Sequence, residues 1–297
     1  MTQLQREAID SAVRASPLDL GGHPLEQRPL FEQMVAAVPV PDDVATTPGH
    51  LGGVPVISLE IAGLTTEGVI LYFHGGAFAI GSASASVGLA ADLARNAHMR
   101  VITVDYRLAP EDPHPAASLD AMSAYRALVD GGQDVARIAV AGESAGANLA
   151  VTTLIGASRA GLPQPSATVL MSPWVDLAVT GQSATTKADL DPALTVGALR
   201  LRAEDYLRGT DATNASVSPI YADLTGLPPL LIQVGSHEIL LDDATRLATK
   251  AAADDVEVTL EVVPGVPHVF QAFAAHLDEG EAALERAGAF LRRHAAG

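Results

Sequence analysis

The run Gly142-Glu143-Ser144-Ala145-Gly146 constrains this chain more than any other. It has the form Gly-x-Ser-x-Gly. It lies between an apolar, strand-like stretch, Arg137–Ala141, and a helix-like stretch, Ala147–Gly156. A strand that reverses into a helix over so few residues leaves no room for side chains on either side of the tip, and glycine meets that demand. Ser144 is then held at the tip with its hydroxyl beside the start of the helix. A serine hydroxyl is a weak nucleophile at neutral pH. It needs a base, a group that orients the base, and N–H donors for the negative charge that develops on its target. The rest of the sequence has to supply those parts.

The pattern around the elbow is strand, helix, strand. Strands are expected at Val54–Ile61, Val69–Phe73, Val101–Asp105, Ile138–Ala141, Ala167–Met171, Leu230–Val234 and Val256–Val263, with helices at Ser86–Ala97, Ala116–Val129, Ala145–Arg159, Asp243–Ala253 and Leu277–His294. Strands this apolar, separated by amphipathic helices, imply an α/β protein with a mostly parallel sheet covered on both faces. Val54–Ile61 is the expected antiparallel exception, because Ile57 and Leu59 alternate with Ser58 and Glu60. The first forty residues differ: Gln3–Val13 and Leu25–Val38 are spaced as helices, punctuated by Pro24 and Pro29. The interval 176–222 carries no good strand but a helical stretch at Val196–Leu207. Residues 1–45 and 176–213 are therefore expected to form a helical cap over the carboxyl edge of the sheet, where open α/β folds bind ligands. Residues 46–175 and 214–297 are expected to form the catalytic domain, the whole being one structural unit.

The 297 residues carry a formal charge of −17, which argues against nucleic acid and against anionic membranes as partners. There is no cysteine, so disulfides and thiolate metal sites are excluded. The polar N-terminus lacks the apolar core of a signal peptide and no stretch is long enough for a membrane span, so a cytoplasmic location is expected.

Two histidine-containing loops follow strands. His74-Gly75-Gly76-Ala77 follows Val69–Phe73, and its glycines allow backbone N–H groups to approach a substrate. Gly75, Gly76 and Ala145 are the expected oxyanion donors. His268 lies on a proline- and glycine-framed loop after Val256–Val263 and is the expected base; the other histidines lack such a setting or have another role. The acid should lie between nucleophile and base. After Leu230–Val234 come Glu238, Asp242 and Asp243. The last two open a helix, where carboxylates serve as caps, so Glu238 is favoured. The order Ser144, Glu238, His268 is that of α/β-hydrolases and not of the chymotrypsin or subtilisin types.

On these residues the chain resembles the bacterial hormone-sensitive-lipase-like esterases, family IV of the α/β-hydrolase fold. His74-Gly75-Gly76 is similar to the family's HGGG loop. The stretch from Asp105 to Glu111, followed by Pro115-Ala116-Ala117 and Asp120, is similar to its DYRLAPE…PAAxxD segment. Gly142–Gly146 is similar to its GDSAG elbow. The resemblance implies an eight-stranded sheet, Ser144 as nucleophile, Glu238 as acid, His268 as base, and Asp105–Glu111 as a charged corner beneath the oxyanion loop. It implies a carboxylesterase for soluble short-acyl esters, working through an acyl-enzyme with no cofactor or metal. A lactone hydrolase would need the same machinery. A ligand-binding receptor resembling the plant gibberellin receptors is disfavoured, since those lack the catalytic histidine. The resemblance also implies a homodimer through an edge strand near Val256–Val263. Three positions depart from the pattern: Ala77 replaces the third glycine, Glu143 replaces the usual aspartate of the elbow, and Glu238 replaces an aspartate. Alanine at a positive φ would cost about 1 kcal/mol, and its methyl would narrow the alcohol side of the site.

Overall fold

A computed structural model describes residues 2–36, 40–66 and 68–295. Eight strands lie in one sheet: β1 Val44–Leu51, β2 Val54–Ile61, β3 Val69–Phe73, β4 Arg100–Val104, β5 Ile138–Glu143, β6 Ala167–Met171, β7 Leu230–Gly235 and β8 Val258–Val263. Their spatial order is β1-β2-β4-β3-β5-β6-β7-β8. Neighbours from β4 to β8 pair in parallel, while β2 is antiparallel to both β1 and β4. The expected antiparallel strand is thus in place, but it is the second strand. The strand before it, β1, was not expected. It is exposed along most of its length and contains Pro48 and Gly49, so it shows no alternation. It is held by backbone pairing to β2 through a turn at Gly52 and Gly53, both with positive φ. Because β1 starts at Val44, the sheet takes in the end of the expected 1–45 segment.

Successive residues of a strand face opposite sides of the sheet, and here both sides are apolar. Val69, Leu71 and Phe73 of β3 pack on the face that carries α4 (Ala116–Asp130), α5 (Ala145–Arg159) and α8 (Leu241–Ala253). Ile70 and Tyr72 pack on the opposite face, against α3 (Val87–Ala97) and α9 (Asp278–Ala295). The N-terminal helices are α1 (Thr2–Arg14) and α2 (Pro24–Ala36). Residues 37 and 38, the end of the second expected helix, lie outside the described residues. The interval after β6 carries α6 (Ser183–Thr186) and α7 (Val196–Leu207). The buried Arg202 of α7 donates to the Gly22 carbonyl at 2.7 Å, which joins the N-terminal segment to the insertion. No helix among the described residues is long and apolar enough to cross a membrane.

Candidate active site

The carboxyl ends of five neighbouring strands converge. The loop after β3 carries His74–Ala77, the turn after β5 carries Ser144, and Ser172 follows β6 directly. Glu238 follows β7 and His268 follows β8. Ser144 has φ 52° and ψ −119°, a sparsely populated conformation that a non-glycine residue keeps only when its surroundings enforce it. They do so here. Its N–H donates to the Met171 carbonyl at 2.9 Å and its own carbonyl accepts from Trp174 N–H at 3.1 Å. A β-carbon built on Gly142 would fall 2.4 Å from the Gly146 carbonyl oxygen, and one built on Gly146 would fall 2.0 Å from that of Phe73. Both flanking glycines are therefore required by close approach.

Glu238 is fully buried, yet its oxygens are well supplied with donors. Oε1 accepts from Gly235 N–H at 2.7 Å and from Ser172 Oγ at 2.8 Å. Oε2 lies 2.8 Å from His268 Nδ1. A buried carboxylate with three donors is compensated for its desolvation. Burial disfavours the His268 imidazolium, but its hydrogen bond to Glu238 and the charges of Glu238, Asp191 and Glu143 together hold its pKa above the ordinary value. Ser172 escaped the sequence reading. Its hydroxyl also accepts from Val269 N–H at 3.0 Å, so it bridges the Glu238 carboxylate to the residue after His268. Its only sequence signal is its place directly after an apolar strand.

Asp242 and Asp243 do not reach His268; they hold the insertion. Asp242 Oδ2 accepts from Ser183 N–H at 2.9 Å, and Asp243 Oδ2 accepts from the Val175 and Asp176 N–H groups at 2.8 and 2.9 Å. These carboxylates do cap backbone N–H groups, but those of a neighbouring segment and not of their own helix. Burial, reinforced by the charge of Asp176, pushes Asp243 up to about 8.

In the loop His74–Ala77, one of the N–H groups expected to face an oxyanion has a partner of its own. Gly75 N–H donates to Glu143 Oε1 at 3.1 Å, so it is already engaged. The N–H groups of Gly76, Ala77 and Ala145 have no acceptor among the described residues. Ala77 and Phe78 have φ 52° and 61°, so the loop passes through two left-handed non-glycine residues. Its supports lie below it. His74 stacks on Tyr106 at 4.2 Å, and Tyr106 Oη donates to the His74 carbonyl at 2.7 Å. Burial pushes His74 down to about 4, so it stays neutral near pH 7. Arg28 of α2 donates to the carbonyls of Ala79 and Ala109 at 2.8 and 2.9 Å and grips both oxygens of Glu111. Asp105 Oδ1 accepts from Ala83 N–H at 2.9 Å. The segment Asp105–Glu111 therefore ties the loop to the sheet and to α2. Phe78 itself stacks on Tyr206 of α7 at 3.8 Å. Among the described residues no cluster of three or more His, Asp or Glu could hold a metal ion.

The chain matches the α/β hydrolase fold over residues 70–272. It is 44% identical to an acetyl-hydrolase of Streptomyces hygroscopicus over 82% of this chain and 85% of that one. It is 37% identical to an esterase of Acinetobacter venetianus over 94% and 92%. Among solved structures it is similar to an esterase of the bacterial hormone-sensitive lipase family, with TM-score 0.95, 41% identity and 98% of each chain covered. It is also similar to an esterase crystal soaked with p-nitrophenyl butyrate, with TM-score 0.94, 35% identity and 99% of each chain covered. The chain belongs to the α/β-hydrolase fold family and is a carboxylic ester hydrolase. Within that family it is one of the bacterial hormone-sensitive-lipase-like esterases.

Proposed function

We propose that the chain hydrolyses small esters with short acyl chains through Ser144, His268 and Glu238. The observation that carries this reading is the buried Glu238–His268 contact of 2.8 Å, at the sheet edge that also presents Ser144. His268 takes the proton of Ser144 as Ser144 attacks the carbonyl carbon. Glu238 fixes the imidazole tautomer and stabilises the imidazolium. The N–H groups of Gly76, Ala77 and Ala145 receive the oxyanion, each lost donor costing roughly 3–4 kcal/mol of transition-state stabilisation. His268 then protonates the leaving alcohol, and water reverses the sequence on the acyl-enzyme. The acetyl-hydrolase relative and the butyrate ester soaked into a similar esterase support short acyl chains.

The helical segment ahead of β1 and residues 176–213 form the cap in this reading, supported by the Arg202–Gly22 contact. A homodimer through β8 is supported by its place at the sheet edge, with Leu260 and Val262 exposed. The test of the site is p-nitrophenyl butyrate hydrolysis by three variants with checked folding. Ser144→Ala and Glu238→Gln should be crippled, and Asp242→Asn should stay active. Full activity in Ser144→Ala would refute the mechanism. A crippled Asp242→Asn beside an active Glu238→Gln would move the acid. Lactones run in the same panel test the ring-closed substrate class.

A further inference from the structure

Two buried side chains of the insertion grip the backbone of Ile239, the residue that follows Glu238. The Ile239 N–H donates to Asp191 Oδ2 at 2.8 Å, and the Ile239 carbonyl accepts from Ser183 Oγ at 2.7 Å. Asp191 Oδ1 accepts from the Ala193 and Leu194 N–H groups, both at 2.8 Å, so its carboxylate is fixed in its own turn. Ser183 is fixed as well. Its hydroxyl accepts from Asp242 N–H at 2.9 Å, and its N–H donates to Asp242 Oδ2 at 2.9 Å. The segment between β7 and α8 is short, so the position of the Ile239 peptide sets where the Glu238 side chain starts.

A carboxylate taken out of water is costly unless it is hydrogen-bonded. The Asp191 carboxylate is buried against the loop that bears the acid, and one of its three donors belongs to that loop. We infer that Asp191 and Ser183 are positioning residues, through which the insertion holds the Glu238 loop at the distance His268 requires. This rests on the reading of Glu238 as the acid. A second observation agrees with it. The charges acting on His268 come from Glu238 on the loop after β7, Asp191 on the insertion and Glu143 on the elbow, and all three favour the imidazolium. Asp191 thus reaches the base from a segment distant in sequence.

The experiment uses the full chain and p-nitrophenyl butyrate, with kcat and KM followed across about pH 5–9 and folding checked by circular dichroism. Asp191→Asn loses one acceptor and the charge. Its kcat should fall roughly tenfold or more while KM stays within about twofold, as a misplaced acid predicts. The acid inflection of kcat/KM should move to lower pH, because His268 loses a favourable charge. A purely structural defect would lower the melting temperature without moving that inflection. Ser183→Ala should lower kcat with a smaller shift, and Ser183→Thr, which keeps the hydroxyl, should restore it. Wild-type kcat and an unmoved inflection in folded Asp191→Asn overturn the inference. If that variant fails to fold, the Ser183 pair decides: wild-type kcat in Ser183→Ala overturns it. Glu238→Gln runs alongside. If it remains active, the acid assignment itself fails; if it is crippled while Asp191→Asn is unaffected, only the positioning role fails.

Discussion

Ser172→Ala removes one oxygen atom from the interior and tests the hydrogen-bond network around Glu238. The hydroxyl makes two contacts, donating to Glu238 Oε1 at 2.8 Å and accepting from Val269 N–H at 3.0 Å. Ser172 has φ 46°, and alanine tolerates that conformation no worse than serine, so the backbone contributes little to the difference. A lost hydrogen bond to a charged group is worth about 1.5–3 kcal/mol, and a stranded backbone N–H about 1–3 kcal/mol. The two share one atom, so their sum is an upper bound, and a loss of about 3–4 kcal/mol is expected. Domains have about 5–15 kcal/mol in hand, so the variant should fold at room temperature and unfold at a lower urea midpoint with an unchanged slope. Its kcat should fall, since Glu238 is then held only by Gly235 N–H and His268. The acid inflection of kcat/KM should not move down, because a carboxylate with fewer donors is a better partner for the imidazolium. Urea melts give the stability, and kcat against pH gives the rest. A loss under about 1 kcal/mol together with unchanged kcat would refute the assignment of Ser172 as a bridge.

Three further outcomes follow from the geometry. Ala77→Gly relieves a positive φ at about 1 kcal/mol but removes a buried methyl worth about 0.8 kcal/mol; stability should be nearly unchanged in thermal melts, and activity on tert-butyl esters relative to butyl esters should rise. Arg28→Met keeps the stem and loses the fork that holds the Ala79 and Ala109 carbonyls. Its kcat on p-nitrophenyl butyrate should fall, because the loop two residues after Ala77 loses its anchor, and a wild-type kcat would refute that link. Asp243 has a folded pKa of about 8, above the ordinary carboxylate value of 3.8. Its contribution to stability is therefore full below about pH 4 and is lost as pH rises toward 8, because the unfolded state ionises first. Asp243→Asn should flatten that part of the stability curve, as read from urea melts at several pH values.

The sequence made the parallel strands legible because each is an apolar run ended by a turn, and it made the elbow legible because its glycines are dictated by close backbone approach. It hid β1, where Thr46, Thr47, Pro48 and Gly49 give no apolar alternation. The one signal was the Gly52-Gly53 turn. His268 and Glu238 could be picked out as loop residues after strands. What could not be read were the contacts between distant segments. The reach of the Glu143 side chain decides that Gly75 N–H is taken, and nothing local reports it. Asp242 and Asp243 look like caps of the helix they open, and only the fold shows that they cap the segment 175–183. Ser172 and Asp191 are invisible for the same reason, since their partners lie far along the chain.

The contact between Gly146 and the Phe73 carbonyl has a consequence for how such an enzyme can change. The first turn of α5 and the end of β3 touch backbone to backbone, with no side chain between them to yield. Ser144 rides on one partner and the loop His74–Ala77 continues from the other. A mutation elsewhere that altered the spacing of β3 and β5 would shift Ser144 relative to that loop, with no side chain at the contact free to absorb the change. Adaptation to new esters is therefore directed to side chains around this contact, to Phe78 beside Ala77 and to Tyr206 of α7 that stacks on it. There, side chains can be exchanged while the backbone contact between α5 and β3 stays fixed.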